Sequence, residues 1–447
     1  VMLVLVGFIG LVILQFSRRY LDGDPGQMRY VRWFLATLAA VSLLVLANHL
    51  LLVWLAWLGT SIALHQLLTF YDDRAPALIA AHKKFITSRL ADACLLGAIA
   101  LVAGSFGSVD LDVVFARLEA EPEIGRIPSV QLAALLFAAA AALKCAQLPF
   151  HGWLIQVMEA PTPVSALLHA GVINAGGVLL LRMAELVQAS PGAMAALVML
   201  GGLTALFGAV VMLTQSAVKT ALAWSTVAQM GFMLMQCGLG LWPLVLLHIV
   251  AHALYKAHAF LSSGGAVAAV AASARPGPVA VPDLWAVLRA FALALALYAA
   301  MAVLFAALGG EKSAQALALG TMLVFGVAYL VAQGLAGAAP WALSLRTAAA
   351  SVGATLAYFG FQRLAAALWG GALPPTPVAG PLEWALIVLA VLSFGLVALA
   401  QTLFPLWAHH PAAAGLRVHL ANGLYLTTLT DRMTGGLLLP QSKQIKG

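Results

Sequence analysis

Leu132-Ala-Ala-Leu-Leu-Phe-Ala-Ala-Ala-Ala-Ala-Leu-Lys144-Cys-Ala-Gln147-Leu-Pro149 is an apolar run that closes on a lysine, with a proline five positions later. No polar face accompanies the run, so the helix it predicts has lipid or other apolar helices on every side. A charge in such a setting costs at least about 2.5–3.5 kcal/mol on insertion scales, which makes Lys144 a functional candidate by default. Pro149 removes a backbone donor and can break the helix, freeing carbonyls that tolerate a nearby cation. The competing reading is a lysine that snorkels to the membrane boundary from a helix end.

Composition extends this to the whole chain. Of 447 residues, 63% are hydrophobic and 9% charged, with a mean hydropathy of +0.99. A soluble domain carries about 25% charged residues, so this chain could not clothe itself in polar surface. The fold class read from it is all-α: a polytopic transmembrane helical bundle. The formal charge of +7 comes from basic residues placed between apolar blocks, which marks membrane flanks and excludes a nucleic-acid surface. Cys94, Cys145 and Cys237 are isolated in apolar stretches and read as buried small hydrophobes.

Apolar runs predict about 13 spans: 1–16, 31–53, 54–71, 84–106, 129–149, 163–188, 192–214, 217–239, 241–271, 284–308, 315–337, 345–370 and 382–406. We read 1–407 as one transmembrane domain and 408–447 as a cytoplasmic tail, with Arg417–Leu439 as an amphipathic or partner-docking helix. Pro/Gly-rich pieces at Ala274–Pro282 and Gly370–Pro381 read as loops. One set of flanks carries Arg18, Arg19, Arg29 and Arg32, then Arg74, Lys83, Lys84 and Arg89, then Arg275 and Arg346, and in the tail Arg417, Arg432, Lys443 and Lys446. The 107–128 loop carries Asp110, Asp112, Glu119, Glu121 and Glu123 against Arg117 and Arg126. The positive-inside rule puts the first set and the C-terminus in the cytoplasm. The run starting at Val1 lacks the basic region and cleavage site of a signal peptide, and a missing N-terminal segment is expected.

Three more clusters put polar groups into apolar helices. In Met158-Glu159-Ala-Pro161-Thr162-Pro163-Val-Ser165-Ala-Leu-Leu-His169 the prolines mark a helix start or break, and Ser165 and His169 share a face. Lys219 opens Lys219-Thr-Ala-Leu-Ala-Trp224-Ser225-Thr226-Val-Ala-Gln229-Met-Gly231, where it is either a relay or a cytoplasmic flank; Ser225, Thr226 and Gln229 can line water or bridge helices. His248, His252 and Lys256 recur every four residues, with His258 two further on. The first three form one stripe rising about 6 Å per step, suited to proton relay through waters. A zinc site at His248 and His252 and plain polar glue between helices are the alternatives. Asp92 follows Arg89, and Glu185 follows Arg182, each by three residues, so both read as intrahelical pairs.

Taken in order, Lys144-Cys-Ala-Gln-Leu-Pro-Phe-His151-Gly-Trp-Leu, the Pro-Thr-Pro-Val-Ser-Ala-Leu-Leu-His169 run, the Lys219 helix and the His248–Lys256 helix resemble the signature of the proton-conducting antiporter-like family. That family includes the large membrane subunits of respiratory complex I and of Mrp-type antiporters. The resemblance covers roughly residues 1–265 and implies broken helices around a central polar axis. It assigns the proton path to Lys144, His169, Lys219, His248, His252 and Lys256; His65, Glu159, Ser165, Arg89, Asp92 and His258 are read beside it as accessory positions. It also sets Val1 at the family's third helix. Two departures stand out. The family's glutamate after Trp57, partner of the central lysine, is here replaced by Leu58 and Gly59, with His65 as a possible substitute. For the lysine of the second broken helix, Lys312 is the candidate.

These departures, Phe85-Ile-Thr-Ser-Arg89-Leu-Ala-Asp92 and Asn422-Gly-Leu-Tyr-Leu resemble the DAB-type inorganic-carbon accumulation branch. This resemblance implies a membrane subunit in the bacterial inner membrane. Its expected partner is a large cytoplasmic zinc-dependent carbonic-anhydrase-like protein (DabA type). Zinc is then expected in the partner, with no cofactor in this chain and no catalysis by it. The alternatives are a proton-pumping or Na⁺/H⁺ antiporter subunit of a complex I-like or Mrp-type assembly, and a membrane anchor for a cytoplasmic enzyme.

Overall fold

The computed structural model describes residues 1–265, 283–307, 312–334 and 341–434. Arg275, Lys443, Lys446 and the whole 274–282 loop lie outside the described residues. The described residues are helical, with one isolated bridge between His49 and Asp110. Nine of these helices are long and apolar enough to cross a membrane. The chain divides into two compact units, described separately below.

The first unit comprises Val1–Gly238, His248–Val267 and Leu420–Gly447. Its N-terminal part holds α1 (Met2–Tyr20), α2 (Gln27–Leu46), α3 (Leu50–Leu68), α4 (Ala75–Phe106) and the short α5 (Leu111–Ala120). The α2–α3 join falls at Ala47–His49, where the apolar run had placed it at 53. Asn48 there donates to the Asp112 carboxylate at 2.6 Å, and its carbonyl accepts from Leu111. A polar pair anchored to a neighbouring loop ends a helix without interrupting the hydropathy. Similarly, α4 begins nine residues before the predicted 84, so Lys83, Lys84 and Arg89 are helical residues and not a loop.

The centre of this unit is built from interrupted helices. The first, α6 (Pro128–Lys144), stops at Lys144; Ala146 turns left-handed at φ 52°, and the chain resumes as α7 (Gly152–Gln156). The predicted 163–188 span splits at Gly171–Asn174 into α8 (Thr162–Ala170) and α9 (Ala175–Arg182), followed by α10 (Ala184–Gln188). Asn174 returns a hydrogen bond to the Ala170 carbonyl at 2.8 Å, satisfying one group the break frees. The two breaks touch: the Cys145 thiol donates to the Ile173 carbonyl at 3.2 Å. Gly176 makes that approach possible, since a Cβ there would sit 2.6 Å from the Ala141 carbonyl oxygen.

Then come α11 (Pro191–Met212), α12 (Val218–Gly238) and, from His248 on, α13 (Trp242–Leu261), whose residues up to Leu247 are assigned to the second unit. Ser190 caps α11 through the Ala193 amide, with Pro191 at the first helical position. The tail returns to this unit. Gln215 donates to the Ala421 carbonyl at 3.2 Å, and Lys83 on α4 pairs with Asp431 at 2.5 Å.

The second unit holds the helices Leu284–Ala307, Ala314–Gly334, Trp341–Trp369 and Pro381–Thr402, which pack on one another. Its core gathers Tyr298, Val324, Ala328 and Phe359. Lys312 sits before the second of these helices, not within it. Its ammonium lies 3.6 Å from the Phe359 ring centroid, flanked by Phe305 and Tyr358, and donates to the Gln362 side chain.

Candidate functional site

The site grows from the end of α6. Lys144 is 4% exposed although it terminates a helix. Its ammonium sits 4.4 Å from the Trp57 ring centroid and reaches the Trp57 carbonyl at 3.4 Å. Trp57 thus holds the lysine through a ring face and a backbone oxygen, the pairing a desolvated cation favours. Lys144 is inside the bundle, which removes the snorkelling alternative.

The carboxylate near Lys144 comes from α4. Asp92 is 5% exposed, pairs with Arg89 at 2.8 Å, and lies within electrostatic reach of Lys144 and Lys84. The predicted Arg89–Asp92 pair therefore forms, and it forms beside the lysine. The Arg182–Glu185 pairing differs: Arg182 reaches across to the Val45 carbonyl at 2.5 Å.

A second group of residues is joined by hydrogen bonds. His169 is fully buried at the end of α8, stacked on Phe260 with centroids 4.3 Å apart. Its Nδ1 meets the Thr226 hydroxyl at 3.0 Å. Thr226 donates to the Leu222 carbonyl at 3.0 Å, and the Lys256 ammonium donates to that same oxygen at 3.1 Å. The His252 ring lies 3.2 Å from the His169 carbonyl and 6.0 Å, centroid to centroid, from the His248 ring. His248 meets the Gln236 side chain at 2.8 Å. Among the described residues no group of three or more His, Cys, Asp and Glu side chains is placed to hold a metal ion.

Other candidates fall elsewhere. Lys219, half-buried at the start of α12, donates to the Thr162 hydroxyl at 3.1 Å, one turn of α12 from the Leu222 carbonyl. Ser165 is buried on α8. Glu159 is exposed and pairs with Arg74 at 3.8 Å, away from Lys144. His258 is exposed on the side of α13 opposite the buried Lys256 stripe. His65 packs against His82 and Phe85, not against Lys144.

Sequence reasoning missed Lys84, Trp57 and Gln236. Lys84 is 2% exposed and donates to the Ser61 carbonyl at 2.8 Å and hydroxyl at 3.0 Å. The eight-residue spacing from Lys84 to Asp92, on one helix face, was the available signal. Gln236 lacked any signal, because an amide in an apolar helix does not announce its partner.

The geometry is that of a membrane protein with interrupted helices around buried basic groups, and the comparisons agree with it. Residues 47–311 match the family model described as NADH:quinone oxidoreductase/Mrp antiporter, TM. The chain belongs to that family. Within it, the chain is 40% identical over 441 residues to the "Probable inorganic carbon transporter subunit DabB2" of Halothiobacillus neapolitanus, covering 96% of this chain and 77% of that one. It is 48% identical over 268 residues to the DabB counterpart of Hydrogenovibrio crunogenus, covering 60% of this chain and 51% of that relative's length. A Synechocystis NAD(P)H-quinone oxidoreductase chain 5 is 34% identical over 63% of this chain and 42% of its own. The fold is similar to a chain of the Mrp complex from a Dietzia species, with a TM-score of 0.61 at 24% identity, covering 99% of this chain and 52% of that one.

Proposed function

We propose that this chain is the proton-conducting membrane subunit of an inorganic-carbon uptake complex, and that ion flow through it energises CO2 hydration by a cytoplasmic, zinc-dependent, carbonic-anhydrase-like partner. The observation that carries the conducting role is the buried connection from His169 through Thr226 and the Leu222 carbonyl to Lys256. Its titratable groups hold and release protons, and its carbonyl and hydroxyl acceptors suit an ammonium donor. Lysine and histidine carriers favour H⁺ over Na⁺, since cationic groups at this depth repel a bare metal ion. The carbon-uptake role is supported by the 40% identity sustained over 96% of the chain to a relative of that printed name. This proposal places the chain in the bacterial inner membrane with the C-terminus cytoplasmic, by the distribution of basic flanks.

In this reading protons enter by the His252–His248 end, pass the His169–Lys256 connection and Lys144, and leave at the face that carries Lys219 and Thr162. The chain itself carries no reaction chemistry; the partner holds the zinc.

The test is bicarbonate accumulation by cells carrying the intact partner. Lys144→Ala and Lys256→Ala should each reduce accumulation at least about tenfold, the low end of the loss expected on removing a proton-transfer group. Normal accumulation in both variants, at normal membrane abundance, would remove the track. A second reading, a subunit of a quinone-reducing or Mrp-type assembly, draws on the 34% identity to the quinone oxidoreductase chain. Co-purification of redox subunits instead of a zinc protein would decide for it.

A further inference from the structure

Lys84 has no role in the track just described, yet it is as deeply buried as Lys144. It lies nine residues into α4, about 14 Å along the helix from Ala75. Two of its three ammonium hydrogens are taken by Ser61. Ser61 is one turn along α3 from Trp57, which holds Lys144. The next turn of α3 brings His65, whose ring lies 5.8 Å from that of His82 and within electrostatic reach of Lys84. Trp57, Ser61 and His65 thus form one stripe of α3, and against it stand Lys144, Lys84 and His82. Lys84, Ser88 and Lys144 share the lining of a cavity of about 10 Å³ with Leu64 and Trp153, which is about one water molecule. His65 and His82 are only half-buried, near the end of α3 and α4 that carries Arg74 and Lys83.

From this placement we propose that Lys84 is a second proton-carrying lysine, taking protons from Lys144 and delivering them to the basic face through His65 and His82. The proposal rests on the reading of Lys144 as part of a proton track. The Lys144 ammonium gives a proton to a water in the shared cavity, and that water gives one to the neutral Lys84 amine. The Lys84 ammonium then protonates neutral His65, and His65 passes the proton through His82 to solution. Only N–H and O–H bonds change, and each cycle moves one proton inward. Arg89 and Asp92 are the other charged groups facing Lys84; their pair leaves the cluster cationic overall, so the two lysines favour alternate protonation, the condition for handing one proton along.

The experiment is proton flux into proteoliposomes holding the full chain, driven by a potassium diffusion potential and followed with an entrapped pH dye. Lys84→Met should lower flux at least about tenfold, as should Lys144→Met. The double variant His65→Gln/His82→Gln should lower it about threefold or more, with recovery when the pH on the basic face is raised by about one unit, because a slowed outlet responds to the proton acceptors there and a packing defect does not. Should Lys84→Met fail to fold, Lys84→Gln retains a donor to Ser61, and the histidine pair reports independently. Wild-type flux in the Lys84 and histidine variants, with Lys144→Met silent, overturns the outlet and leaves the track standing. Wild-type flux in Lys144→Met, or no flux in the unaltered chain, overturns the track and the outlet with it.

Discussion

At the scale of single residues, the chain puts cations where burial is most costly and gives each of them a backbone oxygen. Lys144 has that of Trp57, Lys84 that of Ser61 and Lys256 that of Leu222. A carbonyl compensates part of the desolvation of an ammonium without locking it into an ion pair. Thr226 is the residue on which the second group turns, because its hydroxyl meets His169 and donates to Leu222. Thr226→Val keeps the shape and removes that hydroxyl. It should cut proton flux severalfold and destabilise the protein by about 1–3 kcal/mol through the unpaired His169 nitrogen. Flux assays and detergent melting curves of the variant check this, and Thr226→Ser should retain most of the flux.

At the scale of elements, broken helices and close glycine crossings position the site. α11 and α12 approach so tightly that a Cβ on Gly231 would lie 2.6 Å from the Ala205 nitrogen, and one on Gly201 2.5 Å from the Met235 nitrogen. Small residues at such a crossing allow backbones to meet where no hydrophobic force drives helices together. Gly231→Leu should therefore separate the pair and cost about 1–3 kcal/mol or more, read as a lowered melting temperature. It should also weaken flux, because Thr226 rides on α12. The break after Lys144 was legible as Pro149, but the one at Gly171–Asn174 inside the predicted 163–188 span was not, nor was their mutual contact through Cys145 and Ile173, since a thiol in an apolar stretch has no sequence mark of its partner.

At the scale of the whole molecule, the tail returns to the helices that carry the site. Thr427 packs against Gly152 at the start of α7, and Trp224 lies against Gly423. Lys83 ties α4 to both Gln156 and Asp431. A Cβ on Gly152 would sit 2.7 Å from the Thr427 methyl, so Gly152→Val should lift the 426–434 helix away. The expected result is faster limited proteolysis near residue 420, with the transmembrane helices still protected; an unchanged digestion rate would show that the tail is held by other contacts.

The sequence by itself determined the membrane class and most of the apolar helices, and it marked Lys144, His169, His252 and Lys256 as charged or polar groups inside them, because solvation energy acts on each segment locally: an apolar run must lie in lipid, and a lysine within it must have a reason. It also exposed Leu58 where the family resemblance implies a glutamate. Only the tertiary structure decided which carboxylate stands near Lys144, namely Asp92 from α4, and that Lys84 belongs with the buried lysines and not with the surface charges. The reason is that burial of a helical charge depends on what the neighbouring helices present to it, here the Trp57–Ser61–His65 stripe of α3, and such pairings between distant segments leave no trace in the hydropathy of either one.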